Sequence, residues 1–184
     1  MTRTISGVSD SAGGAPRLRL LYLSLAVAVI VLDQITKAVV SAKIPLHATV
    51  TVIPGFFDLT HVRNTGAAFG LFAGEASPGR TLLLTAIAIL VFCGVVFYAW
   101  RSPAHDVVLQ TALAFISGGA VGNLIDRIRF DSVTDFLRFY LGAHEWPSFN
   151  VADSAITMGV VLLAWDIWRR PDREPARTTR KAAA

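Results

Sequence analysis

Four carboxylates, a lysine and several side-chain amides stand out in a chain that is otherwise poor in polar groups. Asp33, Asp126, Asp135 and Asp153, together with Lys37, Asn64 and Asn150, are the residues able to do chemistry. Two carboxylates held close together cannot both ionise comfortably, so they share a proton. One then activates a water as general base while the other donates a proton to a carbonyl. Spacing alone does not choose the pair among the four aspartates. Competing chemistries fit less well. The histidines at 47, 61, 105 and 144 are scattered and form no H-E-x-x-H cluster, and Cys93 is the single cysteine. No metal site and no cofactor are therefore expected. A G-x-S-x-G elbow and a phosphate-binding glycine loop are both absent from the sequence. A Ser–Lys hydrolase would need Lys37 unpaired near Ser117 or Ser154, which Asp33 four residues earlier disfavours.

Each of these residues also has a purely structural reading. Asp33 and Lys37 share a helical face and neutralise each other. Gly118 and Gly122 have the small-xxx-small spacing that lets helices approach closely. Asp126 beside Arg127 reads as an ion pair holding the end of its helix. Asn150 suits an N-cap, which puts Asp153 at the third helical position, facing free N–H groups and the positive helix end. Asp135 has no comparable local role.

The elements that position these groups are membrane spans. Of 184 residues, 53% are hydrophobic and only 16% charged, against roughly a quarter charged in soluble domains. The apolar residues fall in four blocks, predicting helices over about 18–40, 81–100, 107–125 and 151–168, each long enough to cross roughly 30 Å of hydrocarbon. A cleavable leader competes for the first block; the ionisable residues near its end and the three later blocks favour a permanent helix. Residues 1–16 read as a disordered polar lead and 171–184 as a disordered basic tail.

An even number of spans puts both termini on one side. With the 101–106 turn, that side holds ten of the 17 Lys and Arg, which predicts cytoplasmic termini. The net charge of +4 lies nearly all in the tails, so it reads as a topology signal, and no nucleic-acid partner is expected. The opposite side receives residues 43–80 and 126–150. Alternating stretches at His47–Ile53 and Phe57–Val62, with Pro54-Gly55 between them, predict short strands and a turn. The fold expected is an all-α membrane protein of four transmembrane helices with a small extracytoplasmic β-rich cradle. With this span order, Asp33, Lys37, Asp126, Asp153, Asn64, Asp135 and Asn150 all gather at one membrane face. Ionisable groups there cost several kcal/mol unless paired or functional, which points to a site.

At this point a family resemblance enters. Asp33-Gln34-x-x-Lys37 and Arg63-Asn64-Thr65-Gly66-Ala67-Ala68-Phe69 resemble two boxes of lipoprotein signal peptidase, also called signal peptidase II or prolipoprotein signal peptidase. Gly118-Gly119-Ala120-x-Gly122-Asn123-x-Ile125-Asp126-Arg127, with Val133-x-Asp135-Phe136, resembles the third box, and Phe149-Asn150-x-Ala152-Asp153-Ser154 the last. Any one box is weak; the ordered set, covering about residues 17–170, is specific. The resemblance implies a multipass aspartic endopeptidase of the bacterial inner membrane; the sequence leaves its oligomeric state open, although a four-helix monomer would suffice. It would remove the signal peptide from prolipoproteins, cutting before a cysteine already carrying diacylglycerol. It also implies Asp135 and Asp153 as the catalytic pair. Asp33, Lys37, Asn64, Gly118, Asn123, Asp126, Arg127 and Asn150 are implied as substrate-binding or supporting residues. The expected partners are diacylglyceryl-prolipoproteins and membrane lipid. The rival class is a small multipass transporter or assembly factor using intramembrane Asp and Lys; its signature would be ionisable groups at several depths or an inverted repeat.

Overall fold

The computed structural model describes residues 14–66 and 78–170. Four long helices and a four-stranded sheet follow in the order α1 (Gly14–Lys43), β1 (Thr49–Ile53), β2 (Phe57–Asn64), α2 (Pro78–Arg101), α3 (Val107–Phe130), β3 (Val133–Leu141), β4 (His144–Glu145) and α4 (Val151–Arg169). All four helices are long and apolar enough to cross a membrane. α1 begins at Gly14, so residues 14–16 of the expected lead are helical. Residues 1–13 and the expected tail 171–184 lie outside the described residues, as do Ala67–Phe69 of the second motif.

α3 is the central helix: α1, α2 and α4 each pack on it. Its glycines make this possible. A Cβ at Gly118 would stand 2.8 Å from the Ala26 carbonyl oxygen, and one at Gly122 would stand 2.7 Å from the Asp33 carboxylate. Gly119 faces the Ala152 carbonyl and Ile156 of α4 in the same way. Three small residues on one helix thus seat two neighbours at backbone distance. α2, by contrast, is apolar all round, and Leu82, Leu90, Phe97 and Trp100 are exposed, as a helix flanked by lipid requires.

The strands form one antiparallel sheet in the order β1-β2-β3-β4. Gly55 turns the chain between β1 and β2 at a φ of 81°, a conformation that costs a residue with a Cβ far more. Val40 and Ile44, at the end of α1, pack with Phe136 of β3 in a buried cluster to which Leu59, Leu137 and Val151 add. The sheet is thereby fixed over the C-terminal end of α1. At the opposite end, the Arg19 guanidinium donates to the carbonyls of Ala99, Trp100 and Ser102, and Arg170 pairs with Asp106 at 3.3 Å. The start of α1, the α2–α3 turn and the end of α4 therefore meet far from the sheet.

Candidate active site

β3 carries Asp135 into the interior. Its partner in the sheet is Val62 of β2. Side chains alternate along a strand, so Asn64, two residues beyond Val62, lies on the same face as Asp135. The Asn64 Nδ2 donates to Asp135 Oδ2 at 2.9 Å, while its own Oδ1 accepts the Gly66 N–H, also at 2.9 Å. The segment before α4 is then pinned along β3: the Phe136 and Leu137 N–H groups donate to the Phe149 carbonyl, and the Phe149 N–H donates back to Leu137. This delivers Asn150 to Asp135, whose Oδ1 accepts the Asn150 Nδ2 at 2.7 Å.

Asn150 is also the N-cap of α4, and it forms a reciprocal capping box with Asp153. The Asp153 N–H donates to Asn150 Oδ1 at 2.9 Å, and the Asn150 N–H donates to Asp153 Oδ2 at 3.2 Å. Two orphan donors of the helix end are satisfied by this exchange. Asn150 therefore touches both carboxylates, Asp135 through its side chain and Asp153 through its backbone N–H. Asp153 Oδ1 accepts a further bond, at 2.8 Å, from Nδ2 of Asn123 on α3.

Behind the pair lies a buried ionic cluster. Lys37 Nζ stands 2.9 Å from Asp33 Oδ2 and 3.3 Å from Asp126 Oδ2, and it donates to Asn123 Oδ1 at 2.9 Å. Asp33, Lys37 and Asp126 are all less than 5% exposed. Charges so far from water persist only when paired and hydrogen-bonded. Two backbone groups supply the remainder: the Ala152 N–H donates to Asp33 Oδ1 and the Thr134 N–H to Asp126 Oδ2. Gln34 Nε2 reaches both carboxylates as well as the Gly122 carbonyl. The cluster thus ties α1 to α3, to the first turn of α4 and to β3.

Asp135, Asp153, Asn64, Asn123 and Arg127 line one cavity of about 420 Å³, whose wall continues over Trp146 to Phe149 and one turn along α4 to Ile156 and Thr157. Burial pushes the Asp135 carboxyl up to about 7, and the nearby Asp153 adds to the rise; the amides of Asn64 and Asn150 and the Lys37 charge act against it. Near neutral pH this carboxyl is divided between its protonated and ionised forms. Two carboxylates held by one residue, one of them ready to hold a proton, can activate a water and protonate a carbonyl.

All but one of the residues expected at the site meet here. Gly118 is the exception: it lies against Ala26 and Val29 of α1, where its smallness serves packing. The predicted Asp33–Lys37 pair and the Asn150 cap are both present. Asp126 departs from expectation. It pairs with Lys37 rather than with Arg127, whose guanidinium instead reaches the Gly66 carbonyl at 3.4 Å. The two are adjacent on one helix, so their side chains diverge by about 100° and find different partners. A Ser–Lys arrangement is also disfavoured, because Ser154 Oγ donates to the Asn150 carbonyl and Lys37 is fully engaged. Gln34 is the residue that sequence reasoning undervalued. Its polarity next to Asp33, inside an apolar block, was the available signal.

Comparison with known proteins bears on this geometry. Residues 25–169 match the model of the family described as signal peptidase (SPase) II. The lipoprotein signal peptidase of Desulforapulum autotrophicum is 50% identical over 139 residues, covering 76% of this chain and 86% of that protein. That of Syntrophus aciditrophicus is 43% identical over 148 residues, covering 80% and 92%. The fold is similar to a structure described as a bacterial membrane enzyme structure by the in meso method at 2.3 Å. The TM-score is 0.74 at 28% identity, over 85% of this chain and 93% of that one.

Proposed function

The chain belongs to the signal peptidase II family, and on that footing we propose that Asp135 and Asp153 are the pair with which it cuts its substrate. It is a multipass membrane peptidase that removes signal peptides from prolipoproteins. The observation that carries the pair is the Asn150 side chain, which bonds Asp135 Oδ1 and caps the N–H of Asp153 at the head of one cavity.

In this reading Asp153, at the positive end of α4, is the ionised base and Asp135 holds the shared proton. Asp153 takes a proton from a water whose oxygen attacks the scissile carbonyl carbon, and Asp135 passes its proton to the carbonyl oxygen. The resulting gem-diol collapses when Asp153 returns its proton to the amide nitrogen. The C–N bond breaks, and one diol hydroxyl gives its proton back to Asp135. The products are the carboxyl end of the signal peptide and the free amine of the cysteine, and the pair is restored with one proton. Asn64, Asn123 and Asn150 hold the carboxylates in place for these transfers.

The apolar extension of the cavity along α4 suits a substrate whose cysteine carries diacylglycerol and whose acyl chains stay in the membrane. The basic bias of the termini and the 101–106 turn supports cytoplasmic termini, which puts the sheet and the pair at the outer face of the inner membrane. A chain of four helices around one site suffices as a monomer.

The test is a gel-shift assay in detergent with a prolipoprotein bearing diacylglycerol on its cysteine and, in parallel, its unlipidated form. The expected result is cleavage of the lipidated form alone, unchanged by a chelator. Equal cleavage of both forms would remove the lipid from recognition, and loss of activity to the chelator would remove the two-carboxylate mechanism.

A further inference from the structure

Three amides face the carboxylate pair, and each turns its N–H2 group inward: Asn64 and Asn150 to Asp135, and Asn123 to Asp153. A side-chain amide can sit either way round, so something must claim the oxygen in each case. For Asn64 it is the Gly66 N–H, and for Asn150 it is the Asp153 N–H. Both are backbone donors fixed by a turn and a helix cap.

Asn123 differs. Its oxygen is held by Lys37, a charged side chain from another helix, at 2.9 Å, and more weakly by Asn150 at 3.1 Å. The Asn150 N–H2 group has two hydrogens spread over three acceptors, the nearest being Asp135 at 2.7 Å and the farthest the Thr134 carbonyl at 3.3 Å. Lys37 offers donors and no acceptor, so only the amide oxygen can face it. The amide nitrogen must then face Asp153. Turned round, the Asn123 oxygen would meet Asp153 Oδ1 and could bond it only if Asp153 were protonated.

We propose that Lys37 is a positioning residue for cleavage: by holding the Asn123 oxygen it keeps the amide N–H2 toward Asp153, and Asp153 in the role of base. This rests on the Asp135–Asp153 reading and extends it to α1. The charged groups facing Asp153 are Asp135 from β3, Arg127 from α3, and Lys37 and Asp33 from α1; Asp126 of α3 stands behind them, paired with Lys37.

The experiment measures initial cleavage rates of the lipidated substrate across about pH 5 to 9, with the folded fraction checked by size exclusion in detergent. Lys37→Met leaves Asp33 and Asp126 buried without their cation, and it can fail to fold for that reason alone. The paired variant Lys37→Met with Asp126→Asn keeps the net charge of the cluster while removing the donor to Asn123. In whichever of the two folds, the acid-side fall-off in rate is expected to rise by about one pH unit, a loss of about tenfold at the acid end and much less at neutral pH. A folded variant whose rate drops by the same factor at every pH, or does not drop, would overturn the positioning role. Absence of cleavage by the unaltered protein would instead overturn the two-carboxylate reading beneath it.

Discussion

At the scale of single residues, the proposed mechanism has the pair work by division of protonation, and that division is measurable. The Asp135 carboxyl sits near 7 because burial, with Asp153 beside it, opposes its charge. A carboxyl raised in this way is protonated below that value and ionised above it. Because the mechanism needs its proton, cleavage should fall as pH rises past 7, by about tenfold per unit once well above it. A rate that stays level to about pH 9 would show that Asp135 does not supply the proton. Asn64 provides a check of opposite sign. Its bond to Asp135 favours the ionised form, so Asn64→Leu should move the alkaline fall-off to higher pH, while an unmoved or lowered fall-off would contradict the assignment.

At the scale of elements, close approach is what brings the groups together. Gly122→Ala would drive a methyl into the Asp33 carboxylate, whereas Gly94 of α2 has nothing within 4 Å of where a Cβ would lie. Gly122→Ala should therefore lower both the thermal midpoint and the cleavage rate, and Gly94→Ala should change neither downward. Asn150→Ala removes the α4 cap, a loss of about 1–2 kcal/mol in helix-capping terms, and with it the side-chain bond that holds Asp135, leaving only the backbone N–H on Asp153. Cleavage should suffer far more than the melting temperature. Much of this was legible beforehand: hydropathy located the four helices, Pro54-Gly55 located the turn, and Asn150 with Asp153 announced a capped helix. The partner of Asp126 was not legible. Whether it meets Arg127 beside it or Lys37 of α1 depends on how two helices cross, which no local spacing encodes. Gln34 escaped for the same reason, since its three acceptors come from residues 33, 122 and 126.

At the scale of the whole molecule, the carboxylate pair and its ionic cluster lie at one end of the bundle, and the far end is closed by Arg19 and by the Arg170–Asp106 pair. That polarity gives the enzyme a sidedness. In intact cells a membrane-impermeant thiol reagent should label a cysteine placed at exposed Thr51 and spare one placed at exposed His105; the reverse pattern would invert the topology. The four-span outline and the gathering of aspartates at one face followed from span order alone, whereas the choice of Asp135 and Asp153 needed the family resemblance and the bridge that Asn150 makes. The most direct measurement is cleavage of a diacylglyceryl-prolipoprotein by the unaltered protein, by Asp135→Asn and by Asp153→Asn, all in folded form at neutral pH. The two-carboxylate account predicts rapid cleavage by the first and loss of at least about a thousandfold in each of the others; near-normal cleavage by either variant would contradict it.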